Sequence, residues 1–102
     1  MSDKSDGTAG KVEKTNLKAQ ATEVLTWLNH ITGKNYRLVD SNLELVIGRL
    51  KSGATVAQCR AVIAIKNREW KDDPKMRSFL RPETLFGKTK FESYIAEVGN
   101  VE

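Results

Sequence analysis

Three copies of one helix-start pattern constrain the fold of this 102-residue chain more than any other feature. In this pattern, the capping box, a Ser or Thr side chain accepts a hydrogen bond from an early backbone N–H, and a Glu or Gln three residues later bonds back to the cap. The candidates are Ser41 with Glu44, Thr55 with Gln58, and Thr89 with Glu92. Apolar residues follow each of them at helical spacing. The sequence therefore predicts an all-α fold.

The apolar spacing and the helix breakers predict a small bundle of four main helices. The first is predicted over 17–32 and ends before Gly33, the second starts at Ser41 and ends at Gly53, the third runs from Thr55 to about Lys71, and the last starts at Thr89. Pro82 is predicted to start a short helical turn that Gly87 closes. Residues 34–40 form an extended connector in which a brief strand is possible. We expect the inward-facing residues to be Ala21, Val24, Leu25, Leu28, Ile31, Leu43, Val46, Ile47, Leu50, Val56, Cys59, Val62, Ile63, the stem of Lys66, Phe91, Tyr94, Ile95 and Val98.

The first sixteen residues differ in composition from the rest of the chain. They are rich in Ser, Asp, Gly, Thr and Lys, and they contain few apolar side chains that could offset the entropy lost on ordering. We expect residues 1–16 to be a disordered leader or linker, and residues 17–102 to form a single helical domain. A chain of 102 residues suits one domain.

The charge of the chain is unevenly distributed. The net charge is +4, but residues 34–90 carry thirteen Lys and Arg against six Asp and Glu, and the last twelve residues carry acids only. The middle of the chain is therefore basic. A clustered basic face would be a stronger sign of nucleic-acid binding than this modest total.

Residue combinations that support catalysis or tight metal binding are not found in the sequence. His30 is the only histidine and Cys59 the only cysteine, and Asp72 with Asp73 makes a poor cation site without further carboxylates. Cys59 lies in an apolar helical stripe, where a buried thiol is expected. We expect no enzymatic activity, no catalytic residue, no metal, no cofactor and no small-molecule substrate. No apolar run is long enough for a membrane span or a signal peptide, and we expect a cytoplasmic protein without membrane contact.

The segment Glu69 to Gly87, with its continuation to Tyr94, concentrates aromatic and basic residues on a connector between helices. Trp, Tyr and Arg are enriched among residues that dominate binding energies. The hypothesis is a partner-binding surface. Its candidate residues are Trp70, Lys71, Lys75, Arg77, Arg81, Phe86, Lys88 and Lys90. The alternative for the aromatic members is that Trp70, Phe79, Leu80, Leu85 and Phe86 complete the core.

Helices 2 and 3, joined by a glycine-containing turn, offer a second interpretation. Their connectivity resembles a helix-turn-helix unit, in which the start of the second helix reaches base edges. The candidate DNA-binding residues are Arg49, Lys51, Thr55, Gln58 and Arg60. Arg and Gln suit guanine and adenine, while the other cations suit phosphates.

A longer pattern of residues carries a family resemblance. It comprises Leu28-Asn29, Thr32-Gly33-Lys34, Tyr36, Asn42-Leu43, Ile47, Arg49-Leu50, Gly53, Thr55-Val56, Ile63, Lys66, Trp70, Pro74, Met76, the run from Leu80 to Phe86, and Lys90 to Tyr94. Over roughly Ala21 to Glu97 the chain resembles the conserved phage C-terminal domain of bacteriophage and prophage replication proteins, of the replisome-organiser type. The run from Trp70 to Tyr94 is the specific part of the match.

The resemblance implies a role in phage DNA replication initiation. In such proteins an N-terminal domain of winged-helix or similar type usually binds the origin, and the C-terminal part is thought to engage the replicative helicase or its loader. The present chain matches the C-terminal part, which leaves open a free-standing version or a fragment of a longer replication protein. The resemblance thus implies an interaction module for helicase or loader in the bacterial host cell. A small basic DNA-binding domain and a structural cap or oligomerisation domain are the other interpretations, and activation or inhibition of the partner is left open.

Overall fold

The computed structural model describes residues 9–98, with side chains from residue 16 onward. It contains helices α1 (Ala9–Thr32), α2 (Asp40–Lys51), α3 (Val56–Trp70), α4 (Pro82–Leu85) and α5 (Lys88–Val98), and a 3₁₀ turn at Met76–Phe79. Between residues 9 and 98 there is no strand, so the all-α prediction is confirmed and the possible strand after α1 is not formed. No helix in this part of the chain is long and apolar enough to cross a membrane.

Helix α1 is the centre of the bundle. Helices α2 and α3 both pack on it, α5 packs mainly on α3, and the short α4 joins α2 to α5. One buried cluster unites residues from all five helices: Ala21, Val24, Leu25, Leu28, Leu43, Val46, Leu50, Cys59, Val62, Ile63, Leu85, Phe86, Phe91 and Tyr94. The predicted stripes therefore face the core, apart from Ile31, which is 36% exposed in the last turn of α1. Ile47, Val56, Ile95 and Val98 are half-buried at the edge of the cluster.

Helix α1 begins well before the predicted start at residue 17. Its first residue is Ala9, so residues 9–16 of the predicted disordered leader are helical, and that part of the prediction is wrong. This stretch contains no proline, and its Ala, Lys and Glu residues favour a helix once the amphipathic part of α1 is docked. Residues 1–8 of the predicted leader lie outside the described residues.

Only one of the three predicted capping boxes forms. At Thr55 both halves are present: the Gln58 N–H donates to Thr55 Oγ1 (3.1 Å), and the Thr55 N–H donates to Gln58 Oε1 (3.0 Å). The box at Ser41 is wrong, because the Val39 carbonyl already accepts from the Asn42 and Leu43 N–H groups and α2 includes Asp40. Ser41 is thus inside the first turn.

The box at Thr89 is also wrong, since α5 starts at Lys88. The Gly87 carbonyl accepts from the Phe91 N–H at 2.8 Å. A Cβ on Gly87 would lie 3.0 Å from the Glu83 carbonyl oxygen, so a larger residue would crowd the passage from α4. That passage starts α5 one residue before the predicted cap.

Candidate partner-binding surface

The aromatic residue Trp70 ends α3 and lies half-buried against α5. Its ring meets that of Tyr94 edge-on, with centroids 6.1 Å apart and planes at 81°. This is a favourable aromatic geometry that fixes both rings. Trp70 therefore packs on the core and also keeps part of its surface accessible. It fits both the core role and the partner-binding role that the sequence analysis considered.

Beneath these rings lies Lys66, whose side chain is only 6% exposed. Its ammonium donates to Glu97 Oε1 at 2.7 Å and to Glu69 Oε1 at 3.1 Å. It also lies 4.6 Å from the Tyr94 ring centroid and 5.4 Å from that of Trp70. We call these five residues the Lys66 clamp. It joins α3 to α5 through charge, hydrogen bonds and cation–π contacts.

The clamp shifts two ionisation equilibria. Burial disfavours the charged form of Lys66, but the hydrogen bonds and charges of Glu97 and Glu69 outweigh it, so the lysine pKa is raised above 10.5. Burial also raises the pKa of the Tyr94 phenol above 10.0, partly offset by the charge of Lys66. Both shifts mean that the folded state holds these protons more tightly than the unfolded chain does.

The contribution of the Lys66 clamp to the free energy of unfolding should therefore decrease at alkaline pH. A group whose pKa is raised on folding stabilises the fold fully below its unfolded pKa, and that contribution is lost as the pH rises through the folded value. We expect the difference in unfolding free energy between wild type and Lys66→Met to be constant up to about pH 10 and to shrink above about pH 10.5. Urea titrations across this range measure it, and Tyr94→Phe removes the parallel contribution of the phenol. If the difference in unfolding free energy between wild type and Lys66→Met does not change with pH, the proposed ion pairs of Lys66 do not stabilise the fold.

After α3, the chain makes an exposed turn built on Asp73. The Asp73 carboxylate accepts from the N–H groups of Lys75 (2.9 Å) and Met76 (3.2 Å), and its carbonyl accepts from that of Arg77 (2.8 Å). The Asp73 side chain thus caps the backbone of this turn. Its carboxylate is engaged by the backbone, and the side chains of Lys71, Lys75 and Arg77 are exposed.

The connector after α1 reaches this turn across a long sequence separation. The Lys34 ammonium donates to the Arg77 carbonyl at 3.1 Å, and the Tyr36 hydroxyl donates to the Leu80 carbonyl at 2.7 Å. The Asn29 amide, in turn, bonds both backbone groups of Tyr36. Sequence reasoning missed Lys34 and Tyr36 as members of the site, because no local pattern indicates a contact between residues some forty positions apart.

Arg81 is the cation of the segment with the most side-chain contacts among the described residues. Its Nε donates to Thr84 Oγ1 at 3.1 Å, Glu83 Oε1 lies 3.7 Å from the same nitrogen, and the guanidinium lies 5.2 Å from the Phe79 ring centroid. Beside it opens a cleft of about 280 Å³ between the starts of α2 and α4. The cleft is lined by Tyr36, Ser41, Asn42, Leu45, Arg81, Pro82 and Glu83. The Arg81 charge partly offsets the rise in the Tyr36 pKa that burial produces.

Four predicted site residues lie in the segment after α3, and the two residues just found donate hydrogen bonds to the backbone of that segment. We call this surface the cationic turn: Lys34, Tyr36, Lys71, Lys75, Arg77 and Arg81. Lys88 and Lys90 are exposed at the start of α5, next to α4, and form a separate basic group. Phe86 is wrong as an exposed anchor. It is 1% exposed and packs 5.7 Å from Phe91 in the core, because α4 places it beneath the bundle surface.

The structure does not place the five candidate DNA-binding residues together on one exposed surface. The capping box occupies Thr55 and Gln58. Arg60 lies 4.9 Å from the Trp27 ring centroid and 3.6 Å from a Glu23 oxygen, facing α1. Arg49 buries its Nε without a hydrogen-bond partner. Helices α2 and α3 each pack mainly on α1. Lys51 is exposed at the end of α2.

Trp27 and Arg60 mark a feature that the sequence reasoning left unused. With Glu23, Thr26 and His30 they line a shallow depression on the α1–α3 face.

The Cys59 thiol is buried in the core, and burial raises its pKa to about 12, which keeps it protonated and unreactive. Within residues 9–98 no three His, Cys, Asp or Glu side chains are grouped to hold a metal ion.

Comparison with known proteins gives one match. No curated protein and no solved structure is significantly similar to the chain. A family model described as "Conserved phage C-terminus" matches residues 24–96, which run from the middle of α1 to near the end of α5. The matched range includes the cationic turn and every residue of the Lys66 clamp except Glu97. With most of its length matched, the chain belongs to the conserved phage C-terminus family.

Proposed function

We propose that this chain is a non-enzymatic interaction module of a phage or prophage DNA replication initiation protein. In this proposal it binds the replicative helicase or the helicase loader in the cytoplasm of the bacterial host. Membership of a phage family and the resemblance over Trp70 to Tyr94 support the setting. The observation that carries the proposal is the cationic turn, where the exposed side chains of Lys71, Lys75 and Arg77 share one segment with Arg81, whose guanidinium is held by Thr84 and Phe79.

The charges of this surface are available to a partner. Among the described side chains, Lys71, Lys75 and Arg77 make no ion pair, and Arg81 has only a long contact with an exposed Glu83. Exposed cations contribute little to the stability of the monomer. Opposite an acidic surface they would raise the rate of encounter and fix its orientation. The partner surface is therefore expected to be acidic.

A folded protein fits this surface better than the phosphate backbone of DNA. Phosphate binding depends mainly on the number of cations. Here, instead, Arg81 is held by Thr84 and Phe79 beside a cleft with the apolar groups of Tyr36, Leu45 and Pro82. A pre-ordered arginine beside an apolar recess is the arrangement expected of a protein-binding hot spot.

Binding should be lost when the charges of Arg77 and Arg81 are reversed together. For Arg77→Glu/Arg81→Glu we expect the Kd for purified host helicase or loader to rise at least tenfold, since hot-spot arginines typically account for about 2 kcal/mol or more each. Biolayer interferometry with the immobilised full chain measures this. Arg68→Glu is the control for reversing one charge elsewhere, because Arg68 is an exposed cation of α3 without an ion pair among the described side chains. It is compared with Arg77→Glu and Arg81→Glu as single variants, which change the net charge by the same amount.

The same variants distinguish binding to helicase or loader from binding to DNA. Labelled single- and double-stranded DNA is titrated at about 50 and 200 mM salt, where phosphate-driven binding should weaken steeply. If wild type binds DNA but neither helicase nor loader, the proposal is wrong and the cationic turn is a phosphate-binding surface. Equal helicase or loader binding by wild type and the double variant would also overturn it.

A further inference from the structure

Helix α2 has a second side, next to its buried one, that the bundle covers only in part. The buried side of α2 consists of Leu43, Val46 and Leu50. On the adjacent side, steps of three and four residues align a second set along the helix: Asp40, Glu44, Ile47, Gly48 and Lys51. With Leu17 and Lys18 of α1, most of this stripe lines a groove of about 270 Å³.

Gly48 is the unexplained residue of this stripe. It lies in the interior of a 12-residue helix, where glycine is less favourable than alanine. Packing within the chain does not require it, because a Cβ added at Gly48 would have no heavy atom within 4 Å. A missing side chain on an outer helix surface does allow the backbone of another helix to approach closely.

The charges of the stripe run in a fixed order around Gly48. The acidic residues Asp40 and Glu44 lie toward the start of α2, and Lys51 lies at its end. None of these three makes an ion pair with another described side chain. A helix with the same order laid antiparallel would place acid against base at both ends. The surface of α2 is thus complementary to itself.

We propose that two copies of this chain associate through α2 around a twofold axis. The register that sets Glu44 of each copy opposite Lys51 of the other also sets Ile47 of each copy opposite Gly48 of the other. Ile47 is half-buried at the edge of the core, and it would fill the space left by the missing Cβ. The interface is isologous, so each contact occurs twice.

The small size of the surface is typical of weak association. Helix α2 has 12 residues, a length of about 18 Å. A contact between two such helices is smaller than a standard interface and belongs with transient ones. We expect a dimer with a Kd on the order of 100 μM, which forms when several copies are concentrated at one place.

Sedimentation equilibrium of the full chain from about 10 μM to 1 mM tests the proposal. The weight-average mass of wild type should rise above the monomer value of 11.4 kDa toward twice that value. Glu44→Lys and Lys51→Glu should each weaken association about tenfold, because each places like charges together twice. The double exchange Glu44→Lys/Lys51→Glu should return the Kd to within about twofold of wild type.

Controls separate this interface from effects of net charge or fold. Glu92→Lys and Arg68→Glu change the net charge equally at exposed positions elsewhere and should leave the Kd unchanged. Gly48→Leu should abolish the dimer while circular dichroism shows an intact helical fold. A chain that stays monomeric to 1 mM, a double exchange that does not restore association, or controls that weaken it equally would each overturn the proposal.

Discussion

Replacing Phe86 with alanine should lower the free energy of unfolding by about 3–5 kcal/mol. Phe86 is among the largest fully buried side chains, and its ring packs against Phe91 at the junction of α4 and α5. Removing the ring loses its transfer free energy and leaves a cavity that helices α1 to α5 line from several sides. For a domain of this size, Tm should fall by more than about 12 °C. Calorimetry and urea denaturation measure the two quantities.

Phe79 provides the matched control for Phe86. It is the same residue type in the same segment, but it lies in the 3₁₀ turn, is only partly buried, and does not belong to the core cluster. Phe79→Ala should cost about 1 kcal/mol or less, mainly through the lost contact with Arg81. Equal losses for the two variants would show that this segment is not divided into a core part and a surface part.

Lys66→Ala should have the second largest effect, a loss of about 2–4 kcal/mol. The substitution removes a buried stem and leaves Glu69 and Glu97 without their common cation. Both carboxylates are about half exposed, so water can solvate them and the loss stays below that of a fully buried charge. Hydrogen exchange should show the loss as faster opening of α5, while α1 and α3 remain protected.

Lys66→Met separates charge from packing at the same position. It keeps a linear side chain of similar length between Trp70 and Tyr94 and removes the ammonium. We expect it to recover about half of the stability lost in Lys66→Ala, because the stem accounts for much of the buried area. A stability of Lys66→Ala within about 0.5 kcal/mol of wild type would contradict the Lys66 clamp as a joint between α3 and α5.

Local patterns predicted the helices well and their first residues less well. Periodic apolar residues located α1, α2, α3 and α5, and Pro82 with Gly87 located α4, because these signals depend on only a few neighbouring residues. Ser41 and Thr89 have the right spacing for a cap but are inside helices. There, the Val39 and Gly87 carbonyls accept the first helical hydrogen bonds, so each helix starts before its predicted cap.

Side-chain roles in the segment after α3 could be predicted only in part. Charge alone indicated that Lys71, Lys75 and Arg77 are exposed. Aromatic character could not distinguish Phe86, which is in the core, from Trp70, which is at its edge, because both residue types serve either role. The contacts of Lys34 and Tyr36 with this segment bridge some forty residues. They depend on the completed bundle and leave no local trace in the sequence.

The shared core has a consequence for dividing the protein into shorter pieces. Leu85, Phe86, Phe91 and Tyr94 fill the same interior as the apolar residues of α1 to α3. A fragment that ends at the exposed turn after Trp70 would leave that interior open to water, so residues 9–70 should not fold by themselves. Fusion or expression designs need to retain the chain through α5. A backbone cut confined to the turn should leave the two halves held together.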